Sequence, residues 1–355
     1  MKHSRLLILA LSLIVSVGVL TSCQQAEPHS ATSSATSSAT VSSSASPSTP
    51  DDTESVASAN VMVLSGPTGV GAAYMMEQNG ADETPGSHNW NFSVVTDNSE
   101  VMAALNNGSV DIAATATNVA ANLYNKTEGK ITMLAINTEG VLYVLEKGES
   151  VQSMADLKGK TLYAPSNIKG GNPEFIFNYL LTENGVDPSE ITIEWLTPQE
   201  ITANMAAADS GIALMPVPAA TALLLKDEGV REALDLSAEW DKVSDSPLVM
   251  GGLVVRTEFL EEHPDVVDSF LNEYQASIEY MNDEANVDAA AELVAKHGIT
   301  ANAQIAKRAI PQCNLTFLTG EEMREASQDY YQVLYQIAPA SIGGAMPYDD
   351  FYFVP

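Results

Sequence analysis

Short apolar runs alternate with amphipathic stretches from residue 60 onward, and this pattern predicts an α/β protein. Helices are predicted over Ala72–Gln78 and from a cap at Ser99 to a stop at Gly108. Strand–helix–strand order of this kind is typical of a parallel sheet covered by helices. The predicted strands of this first part are Val61–Leu64, Phe92–Val95, Asp111–Thr115 and Ile131–Ile136.

A second group of strands and helices begins near Val141, and a third, mainly helical part follows it. Capping boxes, in which a hydroxyl and an acidic side chain satisfy backbone amides, are predicted at Ser153, Thr197 and Thr319. Further strands are predicted at Thr161–Ala164, Ile191–Leu196, Gly211–Met215 and Gly252–Val255. Further helices are predicted from Pro173, Pro198, Ala219 and Pro264, and over Ala289–Lys296 and Glu321–Ile337.

The first 22 residues have the pattern of a secretory signal. Two basic residues, Lys2 and Arg5, precede an apolar run from Leu6 to Leu20, and small residues lead into Cys23. The run is too short for a comfortable membrane span but suits a signal peptide. Because the pattern resembles a bacterial lipoprotein signal, we expect residues 1–22 to be removed and Cys23 to be lipidated. The alternative is an ordinary signal peptide with a chance cysteine.

The segment after the signal is predicted to be a flexible tether. Residues 23–58 contain almost no large apolar side chains, and Ala31–Thr40 is a Ser/Thr/Ala repeat. Such a composition cannot bury enough apolar surface to offset the entropy of ordering. Residues 60–355 are numerous enough for one large domain or two lobes.

The charge and the cysteines of the chain limit its partners. The formal net charge is −30, and loss of Lys2 and Arg5 leaves 14 basic against 46 acidic residues. This excess argues against nucleic acid and against electrostatic attachment to anionic lipid. If Cys23 is acylated, Cys313 has no disulfide partner, and its apolar neighbours favour a buried, inert thiol over a reactive one.

Four short sequence motifs along the chain resemble motifs of a known family and occur in the same order as in that family. They are Asn106–Ala113, Asp156–Thr161, Asn184–Pro188 and Phe259–Pro264. On these motifs the chain is similar to type II periplasmic-binding proteins. Within them it most resembles ABC-transporter solute-binding proteins for sulfonates, taurine and thiamine precursors. Val217 departs from the pattern, because many members carry an acidic residue there.

The resemblance implies a two-lobed α/β fold with the ligand enclosed between the lobes. We expect residues 60–140 and 253–355 to form lobe 1, and residues 141–252 to form lobe 2. In open α/β sheets, ligands bind beyond the carboxyl ends of the strands, where loops and helix N-termini converge. The resemblance therefore places ligand contacts in loops and names no catalytic set.

The expected ligand contacts of lobe 1 follow three strands and offer backbone amides, hydroxyls and side-chain amides. They are Gly66, Thr68, Gly69, Thr115, Thr117, Asn118 and Asn137. The alternative for the first group is a plain strand-to-helix turn. The alternative for the group from Thr115 to Asn118 is a cap for the next helix.

The expected ligand contacts of lobe 2 lie in a glycine-rich loop before a helix and in an apolar wall. They are Ser166, Asn167, Gly171, Asn172, Met215 and Pro216. Asn172 is also a good helix cap. Lys169 is the only basic residue in these loops, and we favour a surface role for it. Stacking on a planar ligand is an option for some aromatic residues, although core packing is the favoured role; these are Tyr74, Trp90, Phe92 and Tyr163.

Several chemistries find no support in the sequence. Once the signal is removed, four arginines remain, and none lies in a predicted cleft loop, which argues against a sulfonate held by a bidentate arginine clamp. Backbone amides and helix ends can still hold one. No spacing of His and Cys suits a metal, and no phosphate-binding P-loop is present. We therefore expect no metal, no cofactor and no ATP hydrolysis by this chain.

These observations favour a solute-binding lipoprotein of an ABC importer. We expect a monomer, lipid-anchored on the extracytoplasmic face of a bacterial cell membrane, that captures a sulfonate-, taurine- or thiamine-precursor-like molecule by hinge closure. Its partners would be that small molecule, an ABC permease with a separate ATPase, and membrane lipid, but not nucleic acid. The main alternative is a biosynthetic enzyme of the menaquinone or thiamine type on the same fold. A third reading is an adhesin or structural lipoprotein.

Overall fold

The computed structural model describes residues 58–79 and 89–354, which form two β-sheets with helices against them. The strands are β1 (Ser58–Leu64), β2 (Asn89–Val95), β3 (Ile112–Ala116), β4 (Ile131–Thr138), β5 (Leu142–Lys147), β6 (Thr161–Pro165), β7 (Thr192–Leu196), β8 (Gly211–Pro216), β9 (Val230–Asp235), β10 (Gly251–Arg256) and β11 (Leu315–Leu318). The predicted signal peptide, Cys23 and all of the predicted tether except Ser58 lie outside the described residues.

Thirteen α-helices and several short 3₁₀ turns connect the strands of the described residues. The helices are α1 (Pro67–Val70), α2 (Ala73–Gln78), α3 (Asn98–Asn107), α4 (Thr117–Thr127), α5 (Asn172–Glu183), α6 (Pro198–Ala207), α7 (Ala219–Lys226), α8 (Leu236–Trp240), α9 (Thr257–Glu262), α10 (Pro264–Asn282), α11 (Val287–Lys296), α12 (Ala303–Ala309) and α13 (Gly320–Ile337). The 3₁₀ turns are Met154–Leu157, Ser166–Ile168, Pro188–Glu190, Glu284–Asn286, Ile310–Gln312, Pro339–Ile342 and Asp349–Phe351.

The larger sheet has the strand order β11-β4-β10-β3-β1-β2. Strands β1, β2 and β3 run parallel, as the strand–helix alternation predicts, but β10 enters between β3 and β4 and is antiparallel to both. Leu253 of β10 pairs with Ala114 on one side and Ala135 on the other. The sheet is therefore mixed, because a strand from late in the chain lies at its centre.

The smaller sheet has the strand order β7-β6-β8-β5-β9. Strand β6 is parallel to β7 and β8, whereas β5 is antiparallel to β8 and β9. The chain passes between the two sheets through residues 139–141 and 241–250. Both passages are tied to the larger sheet, because Met250 N donates to Thr138 O at 3.0 Å and Asn314 Nδ2 donates to Gly140 O at 2.5 Å.

Several helix starts differ from the predictions by one residue. The predicted capping boxes form at Ser153 and Thr197, but no side chain caps α13 at Thr319. Helix α3 begins at Asn98 and is capped by Asp97, which accepts a hydrogen bond from Ser99 N at 2.7 Å, so the predicted cap at Ser99 is wrong. Residue type alone therefore does not fix where a helix begins or which side chain caps it.

The thiol of Cys313 is buried, as predicted from its apolar neighbours. It is 1 % exposed and donates to Ala309 O at 3.2 Å. Burial raises the pKa of this thiol to about 12, so it stays protonated near neutral pH. Among the helices of the described residues, none combines the length and the apolar character that a bilayer crossing requires.

Candidate ligand-binding site

A cavity of about 720 Å³ lies where strands of both sheets end. The final residues of β1, β3, β4, β6 and β8 all line it. The first residues of several helices face the same space, which brings free backbone amides and partial positive charge to its walls. A volume of this size falls within the range of small-molecule sites. The sequence predicts ligand binding at this edge of the sheets.

Seven of the predicted contact residues line the cavity, and six do not. The lining residues among them are Gly66, Thr68, Asn118, Asn167, Gly171, Asn172 and Pro216. The six outside the lining are Gly69, Thr115, Thr117, Asn137, Ser166 and Met215. Most of these six act one layer behind the wall, because their side chains or backbone hold lining residues in place.

The loop after β1 needs glycine at two positions for different reasons. Gly66 has a φ of 89°, in the left-handed region that favours glycine. A Cβ atom on Gly69 would lie 2.3 Å from Leu64 O, which belongs to the backbone and cannot move aside. Gly69 therefore permits the close approach of α1 to the end of β1, and the lining positions on either side of Pro67 depend on it.

Asn137 supports this loop from beneath. Its side chain is fully buried, and Nδ2 donates to Thr68 O at 2.9 Å and to Tyr274 OH at 2.8 Å. Its Oδ1 accepts from Thr138 Oγ1 at 3.2 Å. Both amide hydrogens are thus committed within the protein. The contribution of Asn137 to the site is to hold Thr68.

Two threonines that were expected to contact ligand also act behind the wall. Thr115 Oγ1 donates to Asn98 Oδ1 at 2.9 Å, and Asn98 lines the cavity. Thr117 Oγ1 donates to Val249 O at 2.8 Å. Thr117 is the first residue of α4, whose N-cap Ala116 has no side-chain hydrogen bond, so the alternative role of Thr115, Thr117 and Asn118 as a helix cap is wrong.

The remaining two expected contacts differ from each other. Met215 is completely buried in the core beneath Pro216, whereas Ser166 is exposed beyond the rim of the cavity. Asn167, its neighbour, is exposed and lines the cavity. The glycine-rich loop therefore contributes Asn167, Ile168, Gly171 and Asn172 to the wall of the cavity.

Two asparagines carry buried polar atoms without a hydrogen-bond partner among the described residues. They are Oδ1 of Asn118, at the start of α4, and Nδ2 of Asn172, at the start of α5. Asn118 is 9 % exposed and Asn172 is 5 % exposed, and both residues line the cavity. A buried donor or acceptor that lacks a partner is costly, at ~1–3 kcal/mol. Such groups mark a place that a ligand can complete.

The orientation of the Asn172 amide follows from its neighbour on α13. Tyr330 OH donates to Asn172 Oδ1 at 2.6 Å. Tyr330 is fully buried, and desolvation raises the pKa of its hydroxyl, so the group remains a protonated donor. The amide oxygen is thereby occupied, and the free atom is the Nδ2 donor. The predicted cap role of Asn172 is wrong, because α5 begins at Asn172 and Gly171 is its N-cap.

The lining carries one formal charge among the described residues, the carboxylate of Asp97. Hydrogen bonds from the Ser99 side chain and backbone lower the pKa of Asp97 below its ordinary value, so it is ionised at neutral pH. Lys169 lies outside the lining with Nζ 5.6 Å from the centre of the Trp195 ring, a surface position. Arg256 and Arg231 pair with Asp111 and Glu146, at 2.9 Å and 2.5 Å.

The four aromatic side chains considered for stacking on a ligand pack against other parts of the protein and do not line the cavity. Trp90 is 1 % exposed, and Tyr74 stacks on Tyr280 at 3.9 Å between ring centres. Phe92 and Tyr163 pack against the apolar core. Core packing, the favoured role for all four, accounts for their positions.

Among the parts of the wall that sequence reasoning missed, two are stretches with no predicted contact beside them. Thr96, Asp97 and Asn98 follow β2 and line the cavity, and the rule that located the loops after β1, β3 and β4 applies equally to them. The second stretch, Gly298–Ala301, follows a helix, so no strand-end rule points to it. It reaches the cavity because Gly66 N donates to Ile299 O at 3.1 Å.

Comparison with known proteins identifies the fold and the family. The model of the NMT1-like family matches residues 67–295. An ABC transporter protein from Parabacteroides distasonis has a TM-score of 0.68 and 22 % identity, with 85 % of this chain and 99 % of that chain covered. The periplasmic aliphatic sulphonate binding protein of Escherichia coli has a TM-score of 0.66 and 16 % identity, with 85 % and 93 % covered.

A third solved structure is the ligand-binding component of an ABC-type import system from Staphylococcus aureus with zinc bound. It has a TM-score of 0.63 and 17 % identity, with 84 % of this chain and 97 % of that chain covered. No curated protein matches the sequence. At these identities the solved structures establish the fold, and the predicted two-lobed α/β class is confirmed. The family model covers more than half of the chain and agrees with the predicted resemblance, so this chain belongs to the NMT1-like family.

Proposed function

We propose that this protein is the extracytoplasmic solute-binding lipoprotein of an ABC importer. It captures a small organic molecule between two lobes, closes about a hinge and presents the closed form to a membrane permease that a separate ATPase powers. Lobe 1 comprises residues 60–140 and 253–355, and lobe 2 comprises residues 141–252. The observation that carries the proposal is the cavity at the strand ends of both sheets, since each sheet supplies part of its wall.

The passages between the sheets support hinge closure. Only two passages, residues 139–141 and 241–250, connect β4 to β5 and α8 to β10 in the described chain. Short connections of this kind allow two packed bodies to rotate against each other around a ligand. The solved structures with the same fold include components of ABC import systems. A sulfonate-binding relative also shares it.

The lining of the cavity favours binding over catalysis. Among the described residues that form it, Asp97 is the only acid, and no histidine, cysteine, lysine or tyrosine is present. Asp97 already caps α3. A general acid–base reaction needs a titratable pair within reach of the substrate. The described part of this wall therefore offers the biosynthetic-enzyme alternative no titratable pair to which a proton transfer can be assigned.

A ligand panel tests the proposal directly. A compound that binds only the folded protein raises its unfolding free energy by ~2.7 kcal/mol at a hundredfold excess over Kd. We expect a thermal shift with one class of small organic molecule, a smaller radius of gyration in the complex, and recovery of the compound unchanged by mass spectrometry. Chemical turnover of the compound would favour the enzyme instead. Absence of any shift across sulfonates, amides, pyrimidines and amino acids would contradict solute binding.

A blocking substitution at the rim locates the site. Asn167 is exposed and lines the cavity, so Asn167→Trp places a large side chain in the opening without disturbing the core. Asn204→Trp is the matched control, because Asn204 is exposed on α6 and lies outside the lining. We expect Asn167→Trp to abolish the thermal shift and Asn204→Trp to retain it. Equal shifts in both variants would place the ligand elsewhere.

The lipid anchor is a separate part of the proposal. Cys23 is its expected site, and labelled palmitate should enter the wild-type protein but not Cys23→Ala. Because one acyl chain gives only marginal attachment, stable anchoring needs further chains on the same residue. Membrane association of Cys23→Ala equal to wild type would contradict the anchor and leave solute binding untouched.

A further inference from the structure

The two unpartnered asparagine atoms differ in hydrogen-bond character. Asn118 presents an oxygen, which accepts, and Asn172 presents the nitrogen that Tyr330 leaves free, which donates. Asn118 belongs to α4, beside the larger sheet, and Asn172 belongs to α5, beside the smaller sheet. Both line the cavity and are more than nine-tenths buried. A ligand that satisfies both must carry a donor and an acceptor.

The charges around the cavity favour a neutral ligand. Helix N-termini attract anions, but the chain's own carboxylates already serve three of the six that line the cavity and, among the described residues, leave only α1, α4 and α7 without one. Asp97 caps α3, Glu200 completes the capping box of α6, and Glu174 accepts from Gly170 N at 2.5 Å before α5. The described lining holds no cation to neutralise an anionic ligand. An anion in a closed cleft would instead face the ionised Asp97.

We infer that the ligand is an uncharged polar molecule that donates a hydrogen bond to Asn118 and accepts one from Asn172. Primary carboxamides, ureas and lactams have this pair of groups. The inference rests on the proposed solute-binding function and narrows it, because sulfonates and carboxylates carry acceptors but no donor at their head group. Closure of the two lobes would bring both asparagines onto one ligand.

Matched pairs of compounds test the ligand class on the protein that remains after removal of the predicted signal peptide, residues 1–22. Each pair joins a neutral amide with its acid: N-acetylglycinamide with N-acetylglycinate, methanesulfonamide with methanesulfonate, and nicotinamide with nicotinate. A wider library is sorted in the same way into neutral amides, ureas and lactams and into carboxylates, sulfonates and phosphates. We expect the neutral set to contain the binders, with Kd independent of salt concentration, since no ion pair forms.

Two isosteric variants test the two asparagines separately. Asn118→Asp keeps an accepting oxygen but exchanges the amide for a charge, so Kd for a neutral binder should rise less than it does in Asn172→Asp. Asn172→Asp removes the donor, and Kd should rise about tenfold, the loss of one hydrogen bond. Both changes put a carboxylate in the first turn of a helix, where the partial positive charge of the helix end offsets part of the cost of burying it, so both variants should fold. Asn204→Asp is the control for added charge at an exposed position.

The outcomes separate this inference from the proposed function. An acid that binds more tightly than its amide, with affinity that falls as salt rises, overturns the neutral ligand and leaves solute binding intact. Equal losses in Asn118→Asp and Asn172→Asp have the same meaning, because a carboxylate at either position repels an anion. Unchanged affinity in Asn172→Asp also overturns the inference. Binding by no member of either set overturns both the inference and the proposed function.

Discussion

Replacement of Asn137 by alanine should destabilise the protein and loosen its ligand site, although Asn137 does not line the cavity. Its Nδ2 donates to the carbonyl of Thr68 and to the hydroxyl of Tyr274, both of them at or below 2.9 Å. Asn137→Ala leaves both partners buried without a hydrogen bond. At ~1–3 kcal/mol for each of the two unsatisfied groups, the free energy of unfolding should fall by about 2–6 kcal/mol.

Urea unfolding of four proteins measures this effect and assigns it. Wild type, Asn137→Ala, Tyr274→Phe and the double variant form a cycle in which the single losses should not add. Tyr274→Phe removes one partner and should lower the free energy of unfolding by about 1–2 kcal/mol. The double variant should lose less than the sum of the two single losses, because both substitutions remove the same hydrogen bond. The control is Asn204→Ala, an exposed substitution that should stay within about 0.5 kcal/mol of wild type.

The same variants separate stability from binding. At a temperature where Asn137→Ala is still folded, it should bind the ligand more weakly than wild type, because the loop that carries Thr68 has lost its support. Asn204→Ala should bind as wild type does. The reasoning is refuted if Asn137→Ala unfolds within about 0.5 kcal/mol of wild type, since no buried partner would then have been left unsatisfied.

Three further predictions concern the surrounding fold. Burial raises the pKa of Glu146, but hydrogen bonds from Ser150 and Val151 and the charge of Arg231 outweigh it, so the net pKa lies below 4.5. Glu146→Gln should therefore cost about 3 kcal/mol at neutral pH. A depressed pKa contributes stability above the unfolded value, so the gap between the urea midpoints should close as pH falls below 4.5. The thiol of Cys313 should resist a disulfide reagent in the native protein and react on unfolding, and fast native labelling would contradict its burial. Thr197→Ala should cost about 1 kcal/mol in the same urea assay, through loss of the cap of α6.

The larger features of the fold could be predicted because they depend on local patterns. Apolar runs of strand length located β1, β3 and β4, and proline with a capping box located α6. The strands that were missed, β5, β9 and β11, lie directly beside other signals or mix polar with apolar residues. The place of β10 between β3 and β4 could not be predicted, since pairing between strands more than a hundred residues apart leaves no local trace.

The wall of the cavity could be predicted as a set of loops but not as a set of individual lining residues. Parallel strands end at one edge of a sheet, so the loops after β1, β3, β4, β6 and β8 follow from strand order alone. Whether a polar side chain in such a loop faces ligand or backbone depends on packing. Thr117 and Asn118 are neighbours in sequence, yet the first bonds to Val249 O and the second leaves an oxygen unpartnered.

The contrast between Asn137 and Asn118 shows that the cavity wall is held rigidly and yet contains polar atoms without a hydrogen-bond partner. Both are buried asparagines at the same edge of the larger sheet. Asn137 uses both of its amide hydrogens inside the protein and so fixes the loop of Thr68. Asn118 has an oxygen without a hydrogen-bond partner. Tyr330 donates to the oxygen of Asn172 and leaves the nitrogen of Asn172 without a partner. A wall fixed in this way does not relax to satisfy its own atoms, and under the proposed function the ligand supplies the missing hydrogen bonds.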